Sequence, residues 1–213
     1  MLITFEGLDY SGKSTQVQRL ADRLTREGFQ VLVVREPGGT PIGEGIRSIL
    51  LDKKLAAMTD RAELFLFSAS RAQLVEEVIR PALGRGMVVL CDRFHDSTTA
   101  YQGWGRGLPT DAVETVNELA TGGLKPTLTI LMDVPVEVLE ARVRALGLAR
   151  DRMESNGRAF YDRVRSGYRE LAHKEPRFVV IDGNRPEAAI EQEIWKIVWP
   201  RVRESITLVR NEE

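Results

Sequence analysis

The sequence predicts an α/β fold: a parallel sheet flanked by helices on both faces, with a short helical lid. Three observations lead there. Short apolar runs at Leu2–Phe5, Val31–Val34, Met87–Cys91, Leu128–Met132 and Phe178–Ile181 are rich in Val, Ile and Leu. They show no polar alternation, as strands covered on both faces require. Longer stretches of helical periodicity separate them. Between the first run and the first helix lies Gly7-Leu8-Asp9-Tyr10-Ser11-Gly12-Lys13-Ser14. That is the P-loop spacing, Gly-x-x-x-x-Gly-Lys-Ser/Thr, in its strand–loop–helix setting, so the sheet is of P-loop NTPase type.

Each element has a local reason. Gly7 and Gly12 permit backbone angles that turn successive N–H groups onto phosphate oxygens. Lys13 offers a cation to the outer phosphates, Ser14 a hydroxyl to Mg²⁺, and the helix N-terminus further N–H donors. The first helix carries Val17, Leu20 and Leu24 on one stripe and stops at Gly28. After the second strand, Arg35-Glu36-Pro37-Gly38-Gly39-Thr40-Pro41 is too rigid and Gly-rich for a mere connection. A turn with salt-bridged Arg and Glu is the plainer alternative.

A helix over Thr59–Leu83 opens with the box-like Asp60-Arg61-Ala62-Glu63, and Pro81 should kink or split its last turns. The third strand leads into Asp92-Arg93-Phe94-His95-Asp96-Ser97. A carboxylate there, near a P-loop, is placed to hold Mg²⁺ or its waters, and Arg93 to grip a second phosphate. A buried Asp–Arg ion pair is the alternative. Another helix follows Pro109-Thr110-Asp111 and ends at Gly122-Gly123, and Pro135 takes the first position of the next. Two more cover 156–173 and 186–204, and the tail after Ile206 is expected to fray. Arginines cluster from Arg142 to Arg152 around a Gly-containing break. Alone they read as a solvated helix end; beside a P-loop they read as a mobile lid at about 142–154.

At 213 residues the chain fits one domain, 1–213, with a full core. A net charge of −1 gives no bulk attraction to a nucleic acid polymer or an anionic membrane, so any basic site is local. One cysteine, Cys91, excludes an internal disulfide, and with two distant histidines it disfavours zinc. Cys91 has no base partner in its neighbourhood and reads as a small strand residue. No apolar run reaches membrane-spanning length and the first strand starts at Leu2, so the reading expects a cytoplasmic protein without a signal peptide.

Together, Gly7-Leu8-Asp9-Tyr10-Ser11-Gly12-Lys13-Ser14-Thr15, Arg35-Glu36-Pro37-Gly38-Gly39-Thr40, Phe67-Ser68-Ala69-Ser70-Arg71, Asp92-Arg93-Phe94 with Ser97-Thr98-Thr99-Ala100-Tyr101-Gln102-Gly103, and Asp151-Arg152-Met153-Glu154 resemble the thymidylate kinase family. The resemblance runs from Met1 to about Asp182. It implies the reaction ATP + dTMP ⇌ ADP + dTDP, Mg²⁺ as cofactor and a homodimer. It makes Gly7 through Thr15 the ATP-binding run. It also implies that Phe67 stacks on thymine, Arg71 reaches its O4 edge, Arg93 holds the dTMP phosphate, and Tyr101 sits against the sugar. Thr98 and Gln102 then lie near the base, Glu36 belongs to the dTMP site, and Asp9 meets the 3′-hydroxyl or Mg²⁺-bound water. Some members carry an Arg where Tyr10 stands here. This chain therefore resembles the branch that draws its catalytic arginines from the lid, with Arg144 and Arg152 favoured and Arg150 in reserve.

Phosphoryl transfer needs in-line placement and charge neutralisation rather than a protein nucleophile. Lys13, Arg93 and the lid arginines are the candidate catalytic groups, and Ser14 and Asp92 the candidate metal residues, possible through water. The alternatives are another nucleotide or deoxynucleoside kinase, or a P-loop ATPase binding module. A regulatory GTPase would need Asn-Lys-x-Asp after a late strand, and Ile181-Asp182-Gly183-Asn184 is a poor substitute.

Overall fold

The structure, a computed structural model, describes the backbone of residues 1–147, 152–153 and 156–210, and side chains among these up to 204. Strands β1 (Leu2–Glu6), β2 (Val31–Arg35), β3 (Val88–Asp92), β4 (Leu128–Asp133) and β5 (Phe178–Asp182) are all parallel, in the order β2-β3-β1-β4-β5. The helices are α1 (Lys13–Arg26), α2 (Pro41–Leu51), α3 (Asp60–Leu74), α4 (Arg80–Gly84), α5 (His95–Thr98), α6 (Thr110–Thr121), α7 (Val136–Leu146), α8 (Arg158–Lys174) and α9 (Glu187–Arg210).

Strand alternation divides the core into two layers. Ile3, Phe5, Leu90, Ile130 and Met132 meet Leu20 and Leu24 of α1 and Ile190, Ile194 and Val198 of α9. On the opposite face, Leu2, Val89 and Cys91 pack against Leu74 of α3 and Ala82 of α4, while Leu131 packs against Phe160, Val164 and Tyr168 of α8. No helix among the described residues is long and apolar enough to cross a membrane.

Every strand continues one residue beyond its apolar run, into Glu6, Arg35, Asp92, Asp133 or Asp182. Arg35 pairs with Asp92, Phe5 with Asp92, and Asp133 with Asp182. Ladder bonds are made by the backbone and need no apolar side chain, so the sheet presents charged residues along its carboxyl rim. Helix α2 went unforeseen, because Gly43 and Gly45 weaken its periodicity. Its start was legible: Thr40 Oγ1 accepts from Gly43 N at 2.9 Å, and Pro41 follows.

The expected Thr59–Leu83 helix is divided by a widened turn, Val75–Ile79, ahead of Pro81. That turn absorbs the hydrogen bond proline cannot donate. The capping box at Asp60–Glu63 is corrected. Thr59 Oγ1 caps the helix by accepting from Ala62 N, and Glu63 turns inward to Gln102, Arg106 and Arg152. Pro135 caps α7 rather than opening it, α8 begins at Arg158 after Gly157, and α9 runs on past Ile206 to Arg210.

Candidate active site

The P-loop leaves β1 through Gly7 at φ 133, where a Cβ would lie 2.5 Å from the carbonyl oxygen of Met132. Only glycine fits that approach to β4. Gly12 follows at φ 93 as α1 begins. Lys13 Nζ is buried and donates to Leu8 O at 2.8 Å. Burial, then the charge of Arg93, pull its pKa down to about 8. Ser14 Oγ donates to Asp92 Oδ2 at 2.5 Å, joining the first turn of α1 to the end of β3.

Arg93 has φ 72, a left-handed backbone that lifts its side chain over the rim. Its guanidinium donates to Asp9 Oδ1 (2.6 Å), Gly7 O (2.8 Å), Tyr168 OH (3.1 Å) and Tyr101 OH (3.3 Å). Tyr101 OH donates in turn to Asp9 Oδ2 at 3.1 Å. Burial pushes the Asp9 carboxyl up, but Arg93 and Lys13 outweigh it and the net shift is downward, so Asp9 is ionised. The ion pair at this rim is therefore the half-buried Arg93–Asp9; Asp92 is left for Ser14.

One cavity of about 940 Å³ is lined by Asp9 through Thr15, Glu36, Phe67, Arg71, Asp92, Arg93, Thr98, Tyr101 and Gln102. Nearly every residue singled out in the sequence thus meets there. Gly7 and Leu8 do not line it: Leu8 is buried in the core and contributes its carbonyl to Lys13. The alternative of a turn held by an Arg35–Glu36 bridge is not what forms. Arg35 binds Glu44, and Glu36 Oε2 accepts from Arg71 Nε at 2.8 Å, with the Glu36–Pro37 bond cis. Arg71 is 1% exposed and donates further to Asn117 Oδ1, Phe94 O and Thr98 Oγ1. Four of its five N–H bonds are so engaged, and one is left for the cavity.

The P-loop shares this cavity with Arg93 and Tyr101, which are bonded to its own Asp9, and comparison with known proteins gives the family. The Thymidylate kinase family model matches residues 5–194. The chain belongs to the thymidylate kinase family. The Geotalea daltonii thymidylate kinase is 52% identical over 188 residues, spanning 85% of this chain and 88% of that relative. The Geotalea uraniireducens thymidylate kinase is 48% identical over 208 residues, 95% of this chain and 98% of the relative. A crystal structure of thymidylate kinase from Ehrlichia chaffeensis superposes with a TM-score of 0.76 at 34% identity, covering 93% and 98% of the two chains.

The arginines named for the lid are placed differently from one another. Arg144 is exposed near the end of α7 and does not line the cavity. Arg152 turns away from it, pairing with Glu63 Oε2 at 2.7 Å and donating from Nε to Leu50 O at 2.6 Å. Arg150 lies outside the described residues. Among the described arginines of this segment, Arg142 lines the cavity, and it donates to Tyr10 O and Gly183 O at 3.0 Å each. Helical spacing carried the signal. Val136, Leu139 and Val143 form the inward stripe with Arg142 at its edge, while Arg144 falls with Glu137 and Ala141 on the outer face.

Two supporting residues also went unread. Glu6 is fully buried and accepts from Phe94 N (2.7 Å), Ser97 Oγ (2.6 Å) and Tyr168 OH (3.0 Å), bracing both sides of Arg93. Burial, then Asp96, push its pKa up to about 7. A lone carboxylate ending an apolar run was the signal for Glu6. Nothing in the local pattern of α8 marked Tyr168.

Proposed function

We propose that this chain carries out the reaction of its family, ATP + dTMP ⇌ ADP + dTDP, by direct in-line transfer across the cavity, with ATP on the P-loop and dTMP on the Arg93 side. Phosphorylation of dTMP to dTDP is its activity. The observation that carries the arrangement is the sharing of one cavity by the P-loop and by the bonded group Asp9–Arg93–Tyr101. Phosphoryl transfer demands two anionic groups held in line, and the cavity has Lys13 and the P-loop amides for one and Arg93 for the other, which supports the reading.

No side chain forms a covalent bond to substrate; a phosphate oxygen of dTMP attacks the γ-phosphoryl group. P-loop amides and Lys13 hold the triphosphate, and Lys13 Nζ leaves Leu8 O for the outer phosphates. Arg93 takes the dTMP phosphate, Asp9 meets the sugar hydroxyl, and Tyr101 closes the sugar side. Phe67 supplies the flat apolar wall for the base, Arg71 its spare N–H, and Gln102 its amide, with Glu36 and Thr98 holding Arg71. Arg142, Gly183 and Ile190 line the cavity beyond the loop, on the side where the rest of ATP extends. Among the described arginines of the segment read as a lid, Arg142 lines the cavity, and it is the one this reading gives to the donor side.

Ser14 and Asp92 suit Mg²⁺. Both offer hard oxygens, and they are already joined side by side at the cavity. Magnesium takes such a small protein set together with water and substrate phosphates, and when bound it neutralises phosphate charge.

The homodimer expected from the sequence would form on α2, α3 and α6. Phe65 is 59% exposed and Leu119 84% exposed there, with Ile42 and Ile49 also in solvent. An acceptor panel of dTMP, dUMP, UMP, CMP, AMP and thymidine with ATP and Mg²⁺ tests the reading. It requires dTDP as the principal product, and thymidine as the better acceptor would move the chain to the nucleoside kinases.

A further inference from the structure

Glu63 has no role in the reaction as proposed, yet it lies directly behind Gln102, which lines the cavity. Its side chain is 1% exposed on α3, one helical turn before Phe67. Oε1 accepts from Gln102 Nε2 and Arg106 Nε, each at 3.0 Å. Oε2 accepts from Arg106 Nη2 at 3.0 Å and pairs with Arg152 Nη1 at 2.7 Å. Burial raises the carboxyl pKa, but Arg106, Gln102 and Arg152 outweigh burial and the net shift is downward. Glu63 is therefore ionised and can only accept hydrogen bonds.

An obligate acceptor determines which way Gln102 points. Nε2 must face Glu63, which leaves Oε1 as the amide atom for the cavity that Gln102 lines. Among the described residues no donor takes that oxygen. Arg71 meanwhile presents its spare N–H to the same cavity. The wall thus offers one acceptor and one donor.

We propose that Glu63 is a positioning residue for base selection: by fixing the polarity of the Gln102 amide, it makes the site accept an imide edge and reject cytosine. An imide such as that of thymine or uracil presents N–H beside C=O, complementary to Gln102 Oε1 and the Arg71 N–H. Cytosine presents a bare N3 beside an amino group, so acceptor would face acceptor and donor would face donor. Turning Gln102 over would set its oxygen against the buried Glu63 carboxylate. Fixed polar partners of this kind discriminate far better than apolar shape does. The inference rests on the reading that the dTMP base occupies this end of the cavity.

Glu63→Gln provides the test, since an amide in place of the carboxylate tolerates either orientation of Gln102. The ratio of kcat/KM for dTMP to that for dCMP should fall about tenfold or more. The dTMP to dUMP ratio should hold within about twofold, because both bases carry the imide. Proportional losses on all three substrates would reduce Glu63 to a structural brace and overturn the proposal. Gln102→Leu keeps the carboxylate and both arginines in place and serves where Glu63→Gln does not fold. It should lose the same dTMP preference over dCMP, and a wild-type ratio in that variant overturns the proposal. Adding Glu63→Gln to Gln102→Leu should leave the ratio where it is; a further fall would show that Glu63 acts by another route. Failure of the underlying reading looks different, as wild-type protein that makes no dTDP.

Discussion

Arg93 Nη2 and Asp9 Oδ1 lie 2.6 Å apart, so a residue at the end of the third strand and one inside the P-loop form a single charged unit. That pair joins the proposed acceptor site to the loop that holds the donor. Arg93→Ala would strand Asp9 and remove the proposed phosphate grip. The expected loss in kcat/KM for dTMP is about 10²-fold or more. KM for ATP should change little. Steady-state kinetics in both substrates decides the point, and collapse of ATP affinity with dTMP affinity intact would reverse the two roles.

Lys13 is buried at the start of α1, and burial, then Arg93, draw its pKa down to about 8. Lys13→Ala should cost about 3 kcal/mol in transition-state stabilisation, read mainly in kcat. Near-normal turnover would remove Lys13 from the mechanism.

Arg142 and Arg152 should separate cleanly. Arg142 ties Tyr10 O to Gly183 O beside the proposed donor site, so Arg142→Ala should raise KM for ATP about tenfold with a smaller effect on dTMP. Arg152 braces Glu63, so Arg152→Ala should lower folding stability by about 2 kcal/mol. Urea unfolding and kinetics on both variants measure this, and a kcat loss without destabilisation in Arg152→Ala would return that arginine to the chemistry.

His95 gives a pH signature. Burial first, opposed by Asp96, pushes its pKa down to about 4. An unfolded histidine titrates near 6.5, so below that pH the unfolded chain binds a proton that the folded chain does not. The stability contribution is complete above the unfolded pKa and is lost as pH falls toward 4. Relative to His95→Asn, the wild type should lose about 2 kcal/mol between pH 7 and pH 5. A difference between the two that is independent of pH would refute it.

Phe65 and Leu119 should be covered by a second copy. Phe65→Glu should convert a dimer to a monomer in sedimentation equilibrium, since a charge placed in an apolar interface cannot be solvated there. A wild-type monomer at micromolar concentration would discard the interface.

The sheet and the donor loop were legible because their information is contiguous. Strand runs, Gly7, Gly12, Lys13 and Ser14 each act through their own backbone or their immediate neighbours. The family resemblance brought in the base- and sugar-side residues, and the structure gathers them around one cavity. What spacing along the chain did not reveal were pairings across it. Glu63 meets Gln102, Arg106 and Arg152, and Glu6 meets Ser97 and Tyr168, through contacts that exist only once α3, α8 and the strand ends are packed.

The chain alone thus determined the strands and their parallel arrangement, most of the helices and the phosphate-binding turn, since backbone preference and burial of apolar runs operate over a few residues. Which arginine reaches the cavity, which carboxylate each cation answers, and which way Gln102 faces were decided by tertiary structure. A buried charge takes whatever partner the packed helices bring within about 3 Å, and that distance is set by the whole fold.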